Sequence, residues 1–136
     1  MKIFLRLVLA SLVIVLILVS CKKYSTGNPT YGVTGRKVRF RLYTNDDFST
    51  NTSVIKFSLV IRDGNINLFD SSVAPMEIRN IPHLDHELVI EKTVQANVNS
   101  TLTAGFLYDI ENVGNSWFLD TMKAGSTFKV IDYAFR

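Results

Sequence analysis

Cysteine is almost absent from this chain of 136 residues, in which Cys21 is the only one. A single thiol excludes an intramolecular disulfide, so a noncovalent core has to hold the fold together. The sequence also has no internal repeat and no low-complexity segment. These absences exclude a disulfide-stapled scaffold and a repeat protein.

Common catalytic motifs are absent as well. There is no Gly-x-Ser-x-Gly nucleophile elbow and no glycine-rich phosphate loop, and only two histidines are present as candidate bases. The sequence therefore predicts that the protein is not an enzyme and that it has no cofactor.

A large excess of charge is absent once the N-terminal segment is set aside. Sixteen of the first 20 residues are apolar. The other 116 residues carry 13 Lys and Arg (15 in total less Lys2 and Arg6) and 12 Asp and Glu, a net charge of +1. This balance excludes a strongly basic nucleic-acid-binding protein, and the length predicts one domain with one core.

The first 20 residues have the pattern of a secretory signal peptide. Lys2 and Arg6 precede an apolar run over residues 7–19, with no acidic residue before it. An uncleaved signal anchor is the alternative, because residues 3–19 reach the lower length limit for a membrane-spanning helix. Arg6 interrupts that longer stretch, which favours the cleaved peptide.

Leu18-Val19-Ser20 leads directly into Cys21 at the end of the apolar run. This tripeptide resembles the lipobox of bacterial lipoproteins, in which a Leu-x-small sequence precedes the lipidated cysteine. The resemblance implies that residues 1–20 are removed and that Cys21 carries the lipid. Because each buried methylene contributes about 0.8 kcal/mol, two or three acyl chains anchor a protein to a membrane almost permanently.

Lys22, rather than an aspartate, follows the cysteine. By resemblance to the enterobacterial sorting rule, this residue favours the outer membrane over the inner membrane. The acidic surface-export signals of Bacteroidota lipoproteins are missing, which favours a periplasmic-facing position. Residues 21–37 contain turn-forming residues without periodicity, and we expect them to be the lipidated cysteine and a flexible tether.

Residues 38–136 alternate between apolar and polar side chains, as β-strands with one buried face do. Val38, Phe40 and Leu42, for example, lie on one face of the first predicted strand. About seven to eight such segments, separated by turn signals, predict a single antiparallel β-sandwich. Its topology is expected to be immunoglobulin-like, C2-like or transthyretin-like. The general style resembles the small β-sandwich lipoproteins of Bacteroidota.

Two details of the strands can also be predicted. With Asp63-Gly64 as its two-residue loop, a hairpin pairs Ile61 with Ile66. The last strand, residues 128–135, carries apolar residues on both faces, so we expect it in the middle of a sheet.

The aromatic residues allow two interpretations. In a domain of this size most of them fill or cover the core, which is the expected role. The alternative is an exposed platform for a sugar ring or a partner protein. Tyr43, Tyr108 and Trp117 are the candidates for such a binding face.

Two groups of polar residues contain metal-ligand side chains but have simpler explanations. His83 and His86 flank Asp85, yet no further zinc ligand is nominated, and a solvated loop is expected. Carboxylates such as Asp46 and Asp47 are expected to cap turns rather than to hold calcium. The sequence therefore predicts no metal site.

Two further surface features carry expectations. Asp120-Thr121-Met122 resembles the O-glycosylation motif of Bacteroidota, which implies a glycan on Thr121. Arg39 and Arg41 alternate along the first strand, and we expect a solvated face there rather than a site for an anionic ligand.

These features predict a non-catalytic lipoprotein of the cell envelope, attached to the membrane by lipid on Cys21. The leading hypothesis is a protein-binding or accessory module at the outer membrane. The alternative is a module that captures a carbohydrate or another small ligand. A third hypothesis is a small metal-assisted hydrolase around His83 and His86.

Overall fold

The computed structural model of the protein describes residues 32–136. The predicted signal peptide, Cys21 and most of the predicted tether lie outside these residues. The described chain contains eight strands, β1 (Val33–Thr44), β2 (Val54–Asp63), β3 (Ile66–Ser72), β4 (Met76–Glu77), β5 (Leu88–Asn97), β6 (Leu102–Ile110), β7 (Gly114–Met122) and β8 (Phe128–Phe135). Two one-turn 3₁₀ helices, Ile78–Asn80 and Leu84–His86, follow β4. No helix among residues 32–136 is long and apolar enough to cross a membrane.

The strands form two sheets that pack face to face, which confirms the β-sandwich. One sheet has three strands in the order β5-β1-β8, and the other has the order β3-β2-β6-β7, with the short β4 paired to the start of β2. Every pairing is antiparallel except that of β1 with β8, which is parallel. The parallel pair arises because the chain crosses from one sheet to the other between β7 and β8, so that β8 runs in the direction of β1.

The core lies between the sheets and follows the predicted alternation. Its fully buried residues include Val38, Phe40, Leu42, Ile55, Phe57, Leu59, Ile61, Leu102, Ala104, Phe106, Met122 and Ile131. Phe106 on β6 lies at the centre, with its ring centroid 5.7 Å from that of Phe40 and 6.1 Å from that of Phe57, both in edge-to-face geometry. Such pairs stabilise the fold beyond the area that they bury.

The last strand, β8, lies at the edge of the three-stranded sheet, and β1 is the central strand. The prediction that residues 128–135 form a central strand is therefore wrong. Phe128, on the outer face of β8, instead contacts a cation of the neighbouring strand. The guanidinium carbon of Arg39 lies 5.6 Å from the centroid of the Phe128 ring, and Phe128 remains 47% exposed.

The first strand begins at Val33, so residues 33–37 belong to the sheet and not to the predicted tether. Val33 pairs with Asn97 and Lys37 pairs with Thr93 along β5. The apolar alternation stops before this segment because Arg36 occupies the inward position that precedes Val38. Arg36 is fully buried all the same.

The hairpin between β2 and β3 has a different register from the predicted one. Asp63 pairs with Ile66, so the two-residue loop is Gly64-Asn65, and Ile61 pairs with Phe69 rather than with Ile66. Gly64 at the first loop position has a φ of 56°, the feature of a type II′ turn. A β-bulge between Ile61 and Arg62 then shifts the register by one residue.

Candidate functional site

Trp117 is the most exposed aromatic side chain on a sheet face, with 69% of its surface accessible. It lies on the edge strand β7, where Phe118 is the neighbour that turns towards the core. The strand register places Trp117 opposite Leu107 and Leu107 opposite Ser58, so all three lie on the outer face of the five-stranded sheet. The expected core role is therefore wrong for Trp117.

A row of polar residues crosses the same face beside Trp117. Lys56 on β2 pairs with Asp109 on β6, and Asp109 pairs with Asn115 on β7. Together with Trp117, Leu107, Ser58 and Ser72 these residues line a hollow of about 380 Å³. We call this hollow the Trp117 groove.

The Trp117 groove continues towards the turn between β6 and β7. A second hollow of about 220 Å³ is lined by Val54, Lys56, Asp109 and Glu111. Because Lys56 and Asp109 line both hollows, the two form one elongated depression. The volume of the main hollow falls near the lower end of the range of small-molecule sites, about 300–1,000 Å³.

Three polar side chains of the Trp117 groove, those of Lys56, Asp109 and Asn115, have no side-chain partner within residues 32–136, whereas the hydroxyls of Ser58 and Ser72 pair with each other. Lys56 and Asp109 lie opposite each other, yet within residues 32–136 neither of them forms an ion pair. Asn115 likewise makes no side-chain hydrogen bond within that part of the chain. The groove therefore offers a ligand a hydrogen-bond donor in Lys56, an acceptor in Asp109 and an amide that does both in Asn115.

The outer face of the three-stranded sheet has the opposite character. Arg39 donates to the Glu91 carboxylate at 2.7 Å, and Lys37 donates to the same carboxylate at 3.3 Å. These two hydrogen bonds hold the pKa of the Glu91 carboxyl below its ordinary value.

Arg41 on the same face pairs with Glu87 and, at 3.3 Å, with Asp132. The cations along β1 are thus satisfied by carboxylates on both flanking strands. This arrangement offers an anionic ligand little, in agreement with a solvated, ion-paired face.

The three residues of the predicted aromatic binding face are not brought together. Tyr108 borders the Trp117 groove, but its ring packs inward, with its centroid 5.6 Å from that of Phe57 and 5.8 Å from that of Tyr133. Tyr43 lies on β1 in the other sheet, opposite Ala134. Of the three candidates, only Trp117 presents its ring on the outer face that contains the groove.

Burial of Tyr133 and its hydrogen bond with Tyr108 raise the pKa of the Tyr133 phenol above its ordinary value. Tyr133 therefore stays neutral. Both tyrosines pack at the edge of the core, where the ring of Tyr133 also stacks on that of Phe118, with centroids 4.7 Å apart.

Thr121 lies on β7 two pairs of residues beyond Trp117 and is exposed on the same outer face, opposite Thr103. Its backbone N–H donates to the carboxylate of Asp120 at 2.6 Å. The exposed position is open to modification, and the glycan on Thr121 stays a prediction.

The histidine cluster lies in the one-turn helix Leu84–His86 and the residue before it. His86 is within 3.5 Å of the Asp85 carboxylate, and both side chains are highly exposed, at 85% and 73%. No three His, Cys, Asp or Glu residues among residues 32–136 come close enough to hold a metal ion together. No observation in the described chain therefore favours the hydrolase hypothesis.

Asp47 caps a turn, as expected of it. Asp47 accepts a hydrogen bond from the backbone N–H of Ser49 at 3.0 Å, which holds the pKa of the Asp47 carboxyl below its ordinary value. Glu111 accepts from the backbone N–H of Val54 at 3.3 Å. Asp132 forms an ion pair with Arg41 instead, and Asp109 lies in the Trp117 groove.

Arg36 has a structural role that the sequence pattern did not reveal. Its guanidinium donates to the backbone carbonyls of Ser126 at 2.9 Å, Asn97 at 3.2 Å, Ser100 at 2.6 Å and Lys123 at 2.8 Å. It thereby ties the β5–β6 and β7–β8 turns to the start of β1. The available signal was its position two residues before Val38, which places Arg36 on the inward face of the strand.

No protein-family model, no curated protein and no solved structure matches this chain significantly. The choice of the Trp117 groove as the candidate site therefore rests on the geometry of this chain alone.

Proposed function

We propose that this protein is a lipid-anchored, non-catalytic binding module of a bacterial cell envelope, and that its binding surface is the outer face of the five-stranded sheet around Trp117. The observation that carries the proposal is the exposure of this tryptophan beside polar groups that have no partner within residues 32–136. Large exposed aromatic residues are costly in water and are enriched where proteins bind other molecules.

The Trp117 groove and the start of β1 lie at opposite ends of the sandwich. The chain enters the sandwich at Val33, at the end that carries the β5–β6 and β7–β8 turns. The Trp117 groove lies near the other end, beside the β6–β7 turn. A surface at that end is accessible to a partner when the opposite end is attached.

The distance between lipid and domain is limited by the linking chain. Residues 22–32 separate Cys21 from β1, and when fully extended they span at most about 40 Å. A lipid on Cys21 therefore holds the domain close to the membrane, and Lys22 favours the outer membrane.

Two classes of partner fit this surface. The first is another envelope protein, for which Trp117 serves as the central anchor and Leu107 supplies further apolar area on the same face. The second is a saccharide or another small ligand, which the unpaired Lys56 and Asp109 favour.

A photo-crosslinking pull-down from native envelopes tests the proposal. A crosslinking residue in place of Asn115, in the groove, is expected to capture a reproducible partner. A matched crosslinker in place of Thr93, on the outer face of the three-stranded sheet, is expected to capture none. Introducing Cys21→Ala into the Asn115 variant should abolish capture, because the domain is no longer held in the envelope.

Equal capture from the two faces would contradict the assignment of the binding surface. Capture that persists in the Cys21→Ala variant would contradict the need for the anchor. An absence of crosslinks has meaning only beside the ligand measurements described next, since a saccharide partner yields no crosslinked protein.

A further inference from the structure

We infer that the Trp117 groove binds a neutral oligosaccharide, an inference that rests on the proposed binding function and specifies its ligand. The ring of Trp117 offers a broad apolar surface in an otherwise polar hollow. A sugar ring presents C–H groups on its faces and hydroxyl groups around its edge. One aromatic platform with polar side chains around it matches that distribution.

The charges of the groove favour a ligand without net charge. In the main hollow Lys56 supplies one positive charge and Asp109 one negative charge directly opposite it across the β2–β6 pair, and the neighbouring hollow adds the negative charge of Glu111. An anionic ligand in contact with Lys56 would be repelled by Asp109. A cationic ligand in contact with Asp109 would be repelled by Lys56. A neutral hydroxylated ligand avoids both repulsions.

The hydrogen-bonding groups have the variety that hydroxyl groups require. The Lys56 ammonium donates only, the Asp109 carboxylate accepts only, and the Asn115 amide does both. Ser58 and Ser72, whose hydroxyl oxygens are 3.4 Å apart, add two groups that donate or accept. A sugar hydroxyl both donates and accepts, so it can use every member of this set.

A protein partner fits the same polar groups less well. Burying Lys56 and Asp109 beneath a dry protein interface costs free energy unless each charge meets a complementary group. A saccharide forms charge-assisted hydrogen bonds to both side chains and leaves them partly in water.

The shape of the depression favours several linked sugar rings over one. The main hollow of about 380 Å³ and its neighbour of about 220 Å³ share Lys56 and Asp109, so contacts continue from Trp117 to Glu111. An extended ligand uses this length and gains contacts at each ring.

The lone tryptophan provides the assay. Trp117 is the only tryptophan in the chain, so intrinsic fluorescence reports on the groove without a label. The full-length lipoprotein is purified in a detergent without sugar groups, such as lauryldimethylamine oxide, because glycosidic detergents would occupy the site. It is screened on an array of neutral and acidic glycans and then titrated with maltohexaose, cellohexaose, mannohexaose and each glycan bound on the array.

We expect a neutral oligosaccharide to shift the Trp117 emission in a saturable manner. Asp109→Asn and Lys56→Met should each weaken this binding by about tenfold, the effect of losing one charge-assisted hydrogen bond. Trp117→Ala, followed by calorimetry because it has no tryptophan, should weaken binding by at least about tenfold. Leu119→Ala, on the same strand and face but outside the hollow, should change affinity by less than about twofold.

Several outcomes overturn the inference. If the protein binds acidic glycans only, or binds no neutral glycan, the inference of a neutral oligosaccharide ligand is wrong. Binding that is unchanged in Asp109→Asn and Trp117→Ala, both with thermal unfolding like that of the parent, removes the groove as the site.

The crosslinking and glycan-binding experiments together separate this inference from the proposed function. If the Asn115 crosslinker captures an envelope protein and no glycan binds, the saccharide is wrong and the binding module stands. If the groove engages neither a protein nor a glycan, both are wrong.

Discussion

Arg36 is fully buried, and among residues 32–136 its guanidinium contacts backbone carbonyls and no carboxylate. Carbonyl dipoles from two turns thus replace a counter-ion. Buried polar groups are tolerated when they are fully hydrogen bonded, and removing one partner leaves the others unsatisfied. The residue therefore contributes to the fold through the turns that it holds.

Arg36→Met should lower the free energy of unfolding by about 3 kcal/mol, because it leaves several buried carbonyls without a donor while it keeps most of the side-chain volume. Arg39→Met on the exposed face of the same strand is the matched control and should cost less than about 1 kcal/mol. Urea denaturation of the lipid-free domain measures both. Equal losses for the two variants would show that the turn carbonyls do not depend on Arg36.

Gly105 is the second residue whose role depends on its surroundings. A Cβ at this position on β6 would lie 2.0 Å from the carbonyl oxygen of Phe118 on β7. The contact is with backbone, which cannot move aside without disturbing the β6–β7 pairing. A glycine is therefore required where these two strands approach each other.

Gly105→Ala should lower the free energy of unfolding by about 3 kcal/mol through this overlap. Gly32→Ala is its control, since the nearest atom to a Cβ there is 3.9 Å away. That variant should shift the thermal midpoint little. A Gly105→Ala protein as stable as Gly32→Ala would mean that β6 and β7 are farther apart than described.

At the scale of elements, the two sheets meet along the edge strands β7 and β8. Asp120 on β7 forms an ion pair with Lys129 on β8 across this open side of the sandwich. The rings of Phe118 and Tyr133 stack just beyond the ion pair, with centroids 4.7 Å apart. An apolar contact and an ion pair thus close a side that no backbone hydrogen bonds join in the described strands.

The hydrogen bond from Lys129 holds the pKa of the Asp120 carboxyl below its ordinary value. A carboxylate with a lowered pKa in the folded state stabilises the fold above its unfolded pKa of about 3.9. The contribution is lost as the pH falls through the lower, folded-state value.

Lys129→Met should therefore reduce the free energy of unfolding at neutral pH, by less than about 1 kcal/mol because both side chains are partly exposed. The difference from the parent should disappear as the pH is lowered towards about 2. Urea denaturation across this pH range measures it, with Lys56→Met as a control without an ion pair in residues 32–136. A difference that is constant with pH would contradict a role for the Asp120 charge.

At the scale of the whole molecule, one end of the sandwich receives the chain at Val33 and the other end carries the Trp117 groove. The proposed function depends on a lipid that holds the first end at a membrane. The mature protein should accordingly begin at Cys21 and carry acyl chains.

Intact-mass measurement of the protein from its own host tests this directly. We expect the mass of residues 21–136 plus diacylglycerol, with or without a third acyl chain, and we expect fractionation with the outer membrane. Cys21→Ala should abolish the added mass and the cleavage before residue 21. A parent protein that lacks lipid, or one that retains residues 1–20, would contradict the lipoprotein proposal, and added hexose would support the glycan on Thr121.

The fold class was predictable because alternation is a local property. Inward residues on β1, β2 and β6 recur at every second position, and a one-residue shift would expose the whole series to water. The hairpin was predictable in place but not in register, since its loop lies one residue later than predicted and the bulge beside Ile61 adds a further residue that alternation does not show.

The candidate site was only partly predictable. Trp117 was recognised as a binding candidate, whereas Tyr43 and Tyr108 share no outer face with it. Lys56, Asp109 and Asn115 are ordinary polar residues of three different strands, and no spacing along the chain connects them. Their register across β2, β6 and β7 creates the groove.

The sequence by itself determined which residues can share a face, where the chain turns and which segment resembles a lipoprotein signal. Tertiary structure decided that β8 is an edge strand parallel to β1, that Arg36 is buried and that Trp117 is exposed. The physical reason is the separation along the chain over which each kind of interaction acts. Alternation and turn chemistry act between near neighbours, whereas strand order and the partners of a buried charge depend on contacts between residues such as Arg36 and Ser126, which are 90 positions apart.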